Sequence, residues 1–113
     1  MALPRVGADL PGNLSRQAVS DLVEILRYSA RTFGPVVARR SRERLLACLV
    51  SIERGHAMGH RREDVRPRRP TVFLNEDPWV ICFNPNTRHV YRILHAARDF
   101  PAVFRLPSEG GSD

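Results

Sequence analysis

The chain has 113 residues, 42% of them hydrophobic and 27% charged, the size and balance of one globular domain. No apolar run approaches the roughly 20 residues that a membrane span needs, and residues 1–10 lack the charged start and apolar centre of a signal peptide, so a cytoplasmic protein is expected. All eighteen basic residues are arginine, which excludes Schiff-base lysine chemistry and the Gly-Lys-Ser/Thr phosphate loop.

Residues 1–12 are broken by Pro4, Gly7, Pro11 and Gly12, leaving room only for a short edge strand over residues 4–10. Asn13 or Ser15 then caps a helix. Val19, Leu22, Leu26, Ala30 and Phe33 recur at spacings of three and four, one face of an amphipathic helix. Asp21 and Glu24 fall near its expected start, where the helix dipole favours acids. Gly34 stops it, and Pro35 opens a second helix over residues 35–54. Val37, Leu45, Cys48, Leu49 and Ile52 form the inner face of that helix. The tight Gly-Pro joint predicts an antiparallel helical hairpin.

Residues 55–70 read as a polar loop. Three β-rich segments follow, at residues 71–74, 79–83 and 89–95, separated by Asn75-Glu76-Asp77-Pro78 and Asn84-Pro85-Asn86-Thr87. These predict a three-stranded antiparallel meander. Helices first and strands after give an α+β fold, the hairpin packed on one sheet face. Residues 96–104 close the fold, with Phe100 and Phe104 packing on the sheet edge. One domain over residues 1–105 is expected, with a disordered Gly/Ser tail at residues 106–113.

Net charge is +6, and residues 39–69 carry the whole excess, with ten arginines against four acids. Such a block is either a solvated surface or an attractor for something acidic, whether nucleic acid or a protein segment. Charge alone does not choose between those partners, and direct nucleic-acid binding stays open. Two cysteines, Cys48 and Cys82, are too few for a disulfide framework and read as buried free thiols.

Motifs for metal or nucleophilic chemistry are missing. His56 and His60 have ligand spacing but flank Gly59 in a loop, and no cysteine or third histidine lies nearby, so neither metal nor cofactor is expected. The acid pairs Glu63-Asp64 and Glu76-Asp77 read as solvated loop residues. Trp79 and Tyr91 can stack bases or simply pack. His95, beside Arg98 and Asp99, is either a general acid–base group or part of the hydrogen-bonded framework. His89, Tyr91 and His95 keep a metal-free ribonuclease possible, but no spacing identifies one, so no catalytic residue is assigned.

Three segments together resemble a known family. Asp21-Leu22-Val23-Glu24-Ile25-Leu26-Arg27-Tyr28 followed by Phe33-Gly34 looks like the first helix of ParE-type toxins of the ParE/RelE superfamily. Met58-Gly59-x-x-Arg62-x-Asp64-Val65-Arg66-Pro67 resembles their inter-element loop. Arg92-Ile93-Leu94-His95-Ala96-Ala97-Arg98-Asp99 resembles their closing strand motif. The resemblance covers residues 21–104. It departs from the family pattern at Phe83-Asn84-Pro85 and around Arg68-Arg69-Pro70.

The resemblance implies a toxin of a type II toxin–antitoxin system that inhibits DNA gyrase without being an enzyme. It also implies neutralisation by a cognate ribbon-helix-helix antitoxin, ParD-like, with an acidic C-terminal segment. The alternatives it leaves are a RelE-like, ribosome-dependent mRNA endonuclease and a non-toxic relative that only binds antitoxin. Charge and motif position together nominate Arg39, Arg42, Arg61, Arg62, Arg66, Arg68 and Arg69 for antitoxin or target binding. Arg92, His95, Arg98 and Asp99 form the closing motif, expected to be structural.

Overall fold

The structure, a computed structural model, describes residues 10–104. Its elements are α1 (Arg16–Phe33), α2 (Pro35–Glu53), β1 (Val72–Glu76), β2 (Trp79–Phe83), β3 (Val90–His95) and the short α3 (Phe100–Val103). The strands form one antiparallel sheet in the order β1-β2-β3. The α+β meander therefore stands. The proposed strand over residues 4–10 and the tail at 106–113 lie outside the described residues, save Leu10, which packs against the core.

Ser15 starts α1 by accepting a hydrogen bond from the Ala18 amide through its side chain. Asp21 and Glu24 consequently lie beyond the first turn, and the expected dipole role does not apply to them. Gly34 ends α1 at φ 94°, a left-handed value that favours glycine, and its N–H donates to Ala30 O. Pro35 follows as the first residue of α2.

The helices bury Ala18, Leu22, Ile25 and Leu26 of α1 and Leu45, Leu49 and Ile52 of α2 against Ile81, Phe83, Val90 and Ile93 of the sheet. Four expected core residues are not in this layer: Val19 and Ala30 are half-buried outside it, and Phe33 and Val37 lie at the hairpin tip. Phe33 is 61% exposed and Val37 37% exposed. For this pair the reason is length. Eighteen helical residues span about 27 Å, whereas a five-residue strand spans about 17 Å. The hairpin tip overhangs the sheet, and among the described residues its apolar stripe continues past the strands that cover the rest of it.

The opposite sheet face is also packed. Val65, Phe73, Val80, Cys82, Leu94 and Phe100 form a second core, flanked by Val103 and Phe104. Phe100 and Phe104 thus cover a face, not an edge. Both rings meet Phe73 edge-on, with centroids 5.8 and 5.7 Å away. Asp99 caps α3 by accepting from the Ala102 amide, which turns the chain back over this face.

β1 extends two residues further than expected, pairing Glu76 with Trp79 and leaving Asp77-Pro78 as the turn. The 84–87 turn is organised by Asn84, whose side-chain oxygen accepts from the Asn86 and Thr87 amides while its Nδ2 donates to the Tyr91 hydroxyl. The loop before β1 is anchored by paired hydrogen bonds between His60 and Phe73. A Cβ at Gly59 would lie 2.7 Å from the Val72 side chain and 3.0 Å from the Phe73 amide, so only glycine permits this approach. Cys82 is buried as expected, but Cys48 is only half-buried.

Candidate functional site

Two of the concave surfaces beside the sheet differ sharply in chemistry. The first is the wedge beneath the overhanging hairpin, a cleft of about 450 Å³. Its apolar walls come from Tyr28, Phe33, Val37, Leu45, Pro78 and Trp79, and its polar rim from Arg44, Glu76, Asp77 and His95. Tyr28 and Phe33 stand edge to face, 6.2 Å apart, and the Trp79 and His95 rings are 5.3 Å apart in the same arrangement. Exposed aromatics held by ring contacts are rigid anchors for a partner, because little rotamer freedom remains to be lost. Arg44 lies 3.8 Å from Glu76 across the rim. Cys48 donates to the same carboxylate at 3.4 Å. Burial, then that hydrogen bond and charge, push the Cys48 thiol up to about 11.

The second surface runs over the loop before β1. Arg61, Arg62, Arg68, Arg69, Pro67 and Phe73 help line one cleft of about 440 Å³. Arg69 also lines a neighbouring cleft of about 310 Å³ together with His89, Tyr91 and Arg92. The Arg69 guanidinium carbon sits 4.1 Å from the centre of the Tyr91 ring.

The nominated arginines divide by position. Arg39 and Arg42 belong to α2 and line neither surface. Arg61, Arg62, Arg68 and Arg69 come together on the loop surface, with Arg66 exposed on the same loop. Arg62 is committed within the fold. It forms a two-pronged pair with Asp64 at 3.1 and 3.0 Å and lies 4.1 Å from the Phe100 ring centre. Its guanidinium holds the Asp64 carboxyl below the usual carboxylate range.

The closing motif does not form one cluster. Arg92 reaches across to α1 and donates through Nε and Nη2 to Asp21, at 2.8 and 3.1 Å. The same carboxylate accepts the Ile93 amide at 2.9 Å. Asp21 thereby ties α1 to the edge of β3, and its hydrogen bonds hold Arg92 above the usual arginine value. His95 is exposed and accepts the Ala97 amide at Nδ1, 3.0 Å away. Asp99 caps α3, and Arg98 is exposed.

Tyr28, Phe33, Val37, Arg44 and Trp79 were not nominated as site residues. Periodicity placed Phe33 and Val37 on a helix face without showing that the strands beneath, five and six residues long, end short of them. Among the described residues, no three His, Cys, Asp or Glu side chains converge as metal ligands, and no helix is long and apolar enough to cross a membrane.

Residues 13–100 match the family model described as ParE toxin of type II toxin-antitoxin system, parDE. The match begins just before α1 and ends at the first residue of α3, so it takes in the hairpin, the arginine loop and the whole sheet. No curated protein matches the chain.

Proposed function

The chain belongs to the ParE family of toxins of type II toxin–antitoxin systems, and from that premise we propose that it is a cytoplasmic, non-enzymatic inhibitor of DNA gyrase. The observation that carries this reading is the family match across residues 13–100. Members of the ParE branch act on gyrase, whereas their RelE-like cousins cut messenger RNA.

A toxin of this family has an antitoxin as its partner. We assign that antitoxin to a ribbon-helix-helix, ParD-like protein whose acidic C-terminal segment wraps the toxin. The hairpin-tip cleft supports this docking. Its half-exposed Tyr28 and Phe33 suit the apolar side chains of a wrapping segment. Arg44 lies on the cleft rim, where it can meet the segment's carboxylates, and Arg39 and Arg42 lie elsewhere on the same helix. Of the loop arginines, Arg61, Arg66, Arg68 and Arg69 are assigned to the target or to a second partner, while Arg62 is held by Asp64 and Phe100.

The test is a gyrase supercoiling assay with purified chain, titrated with and without its cognate antitoxin. Inhibition that the antitoxin relieves is the expected result. Folded chain that leaves supercoiling untouched overturns the gyrase assignment. Cleaved transcripts under the same conditions would favour the endonuclease reading, and harmless expression with tight antitoxin binding would favour a non-toxic relative.

A further inference from the structure

The two surfaces differ most in their acids. Glu76 and Asp77 lie on the rim of the hairpin-tip cleft, but neither cleft beside Arg69 has a carboxylate in its wall. Asp64 on the loop is paired with Arg62 and Asp21 on α1 with Arg92, while Glu63 is exposed on the loop outside both cleft walls. Arg61, Arg66 and Arg69 are exposed, and Arg69 stands where the two clefts meet. The two clefts meet at Arg69, and the pair, termed the channel, holds arginines and no carboxylate in its walls, so positive charge predominates along it.

A peptide partner draws most of its affinity from apolar anchors in well-packed pockets. In the channel two of the large rings are covered. Phe73 and Tyr91 are buried, at 1% and 7% exposure, and Arg69 covers the Tyr91 ring. A polymer with one charge per repeat needs no such anchor, and guanidinium forks match phosphate oxygens. Arginine planes also offer a stacking surface to unpaired bases.

From these observations we infer that the channel lined by Arg61, Arg69 and His89, with Arg66 exposed on the same loop, binds the phosphodiester backbone of a nucleic acid strand. The surface is separate from the cleft assigned to the antitoxin, so this inference does not depend on that assignment.

The experiment is fluorescence anisotropy of the full chain with single-stranded DNA, duplex DNA and single-stranded RNA oligonucleotides over a range of salt. Two variants of equal net charge are compared. One combines Arg61→Ala, Arg66→Ala and Arg69→Ala, and the other combines Arg31→Ala, Arg40→Ala and Arg54→Ala. All six positions are exposed, and thermal melting checks that both variants fold.

The loop variant should bind at least about 30-fold more weakly and lose roughly two units of log–log salt slope, while the other stays within about threefold of wild type. The three oligonucleotide arms distinguish the source of the backbone, and preference for any one of them supports the inference. Equal losses in both variants would mean that net charge alone attracts the strand and would overturn it. So would displacement by an equally charged acidic peptide at the same concentration, or no binding to any oligonucleotide at low salt.

Discussion

The hairpin-tip cleft and the arginine channel are built by opposite means. The cleft exists because an apolar stripe outruns its cover, which leaves Tyr28, Phe33 and Val37 partly exposed beside Trp79. The channel exists because a loop gathers guanidinium groups into walls that hold no carboxylate. One surface is therefore suited to burial of apolar area, which salt scarcely affects, and the other to long-range charge, which salt screens. The two share one support. Asp21 joins α1, a wall of the cleft, to Arg92, a wall of the channel.

Removing that support should have the largest effect and spare neither surface. The Asp21 side chain is only 12% exposed, and Asp21→Ala leaves both Arg92 and the Ile93 amide without their acceptor. A loss of about 3 kcal/mol in urea denaturation is expected. A loss below about 1 kcal/mol would mean that the hairpin is held by its apolar core alone.

Changes within one surface separate the two. Tyr28→Ala should weaken antitoxin binding by roughly tenfold to thirtyfold through loss of a cleft anchor. Oligonucleotide binding should stay unchanged, because Tyr28 lies at the hairpin tip. If both activities fall together, the surfaces are not independent. Arg62→Ala acts from the other side, removing the cation from the Phe100 ring and from Asp64. It should cost about 1 kcal/mol of stability, measured by thermal melting, and leave antitoxin affinity intact.

The smallest effect concerns the thiols. Burial pushes Cys82 up to about 12, and Cys48 stands at about 11 beside Glu76 at the cleft rim. At pH 8 the thiolate fractions are then about one in ten thousand and one in a thousand, so iodoacetamide should label both slowly. Glu76→Gln removes a negative charge that disfavours the Cys48 thiolate. It should lower that pKa and speed labelling of Cys48, while Cys82 on the other sheet face stays unreactive. Faster labelling of Cys82 instead would show that the variant had loosened the sheet.

The hairpin was legible because α1 repeats at helical spacing and Gly34-Pro35 marks a joint on the sequence itself. The meander was legible because two turn-rich segments separate three β-rich runs. The overhang was not. Periodicity assigns Phe33 and Val37 to a face of their helix, but it says nothing of how far the sheet beneath extends. The second core was half-visible, since the Trp79–Phe83 strand is apolar at every position and such a strand is buried on both faces. What covers that face, Val65 and Phe100, comes from segments before and after the sheet. The arginine block was plain from composition, yet the Asp64 and Asp21 pairings that retire Arg62 and Arg92 depend on loop geometry and on a contact across 71 residues.

The most direct test of this division is calorimetric titration of the cognate antitoxin into three proteins at low and high salt. They are wild type, Phe33→Asp and the triple variant of Arg61, Arg66 and Arg69. Phe33 is 61% exposed, so the substitution is compatible with the fold and places a charge in the cleft. The account predicts that Phe33→Asp lowers antitoxin affinity by about a hundredfold and that the loop variant stays within about threefold of wild type. The reverse pattern, with binding lost in the loop variant and retained in Phe33→Asp, would contradict it and move the antitoxin to the arginine channel.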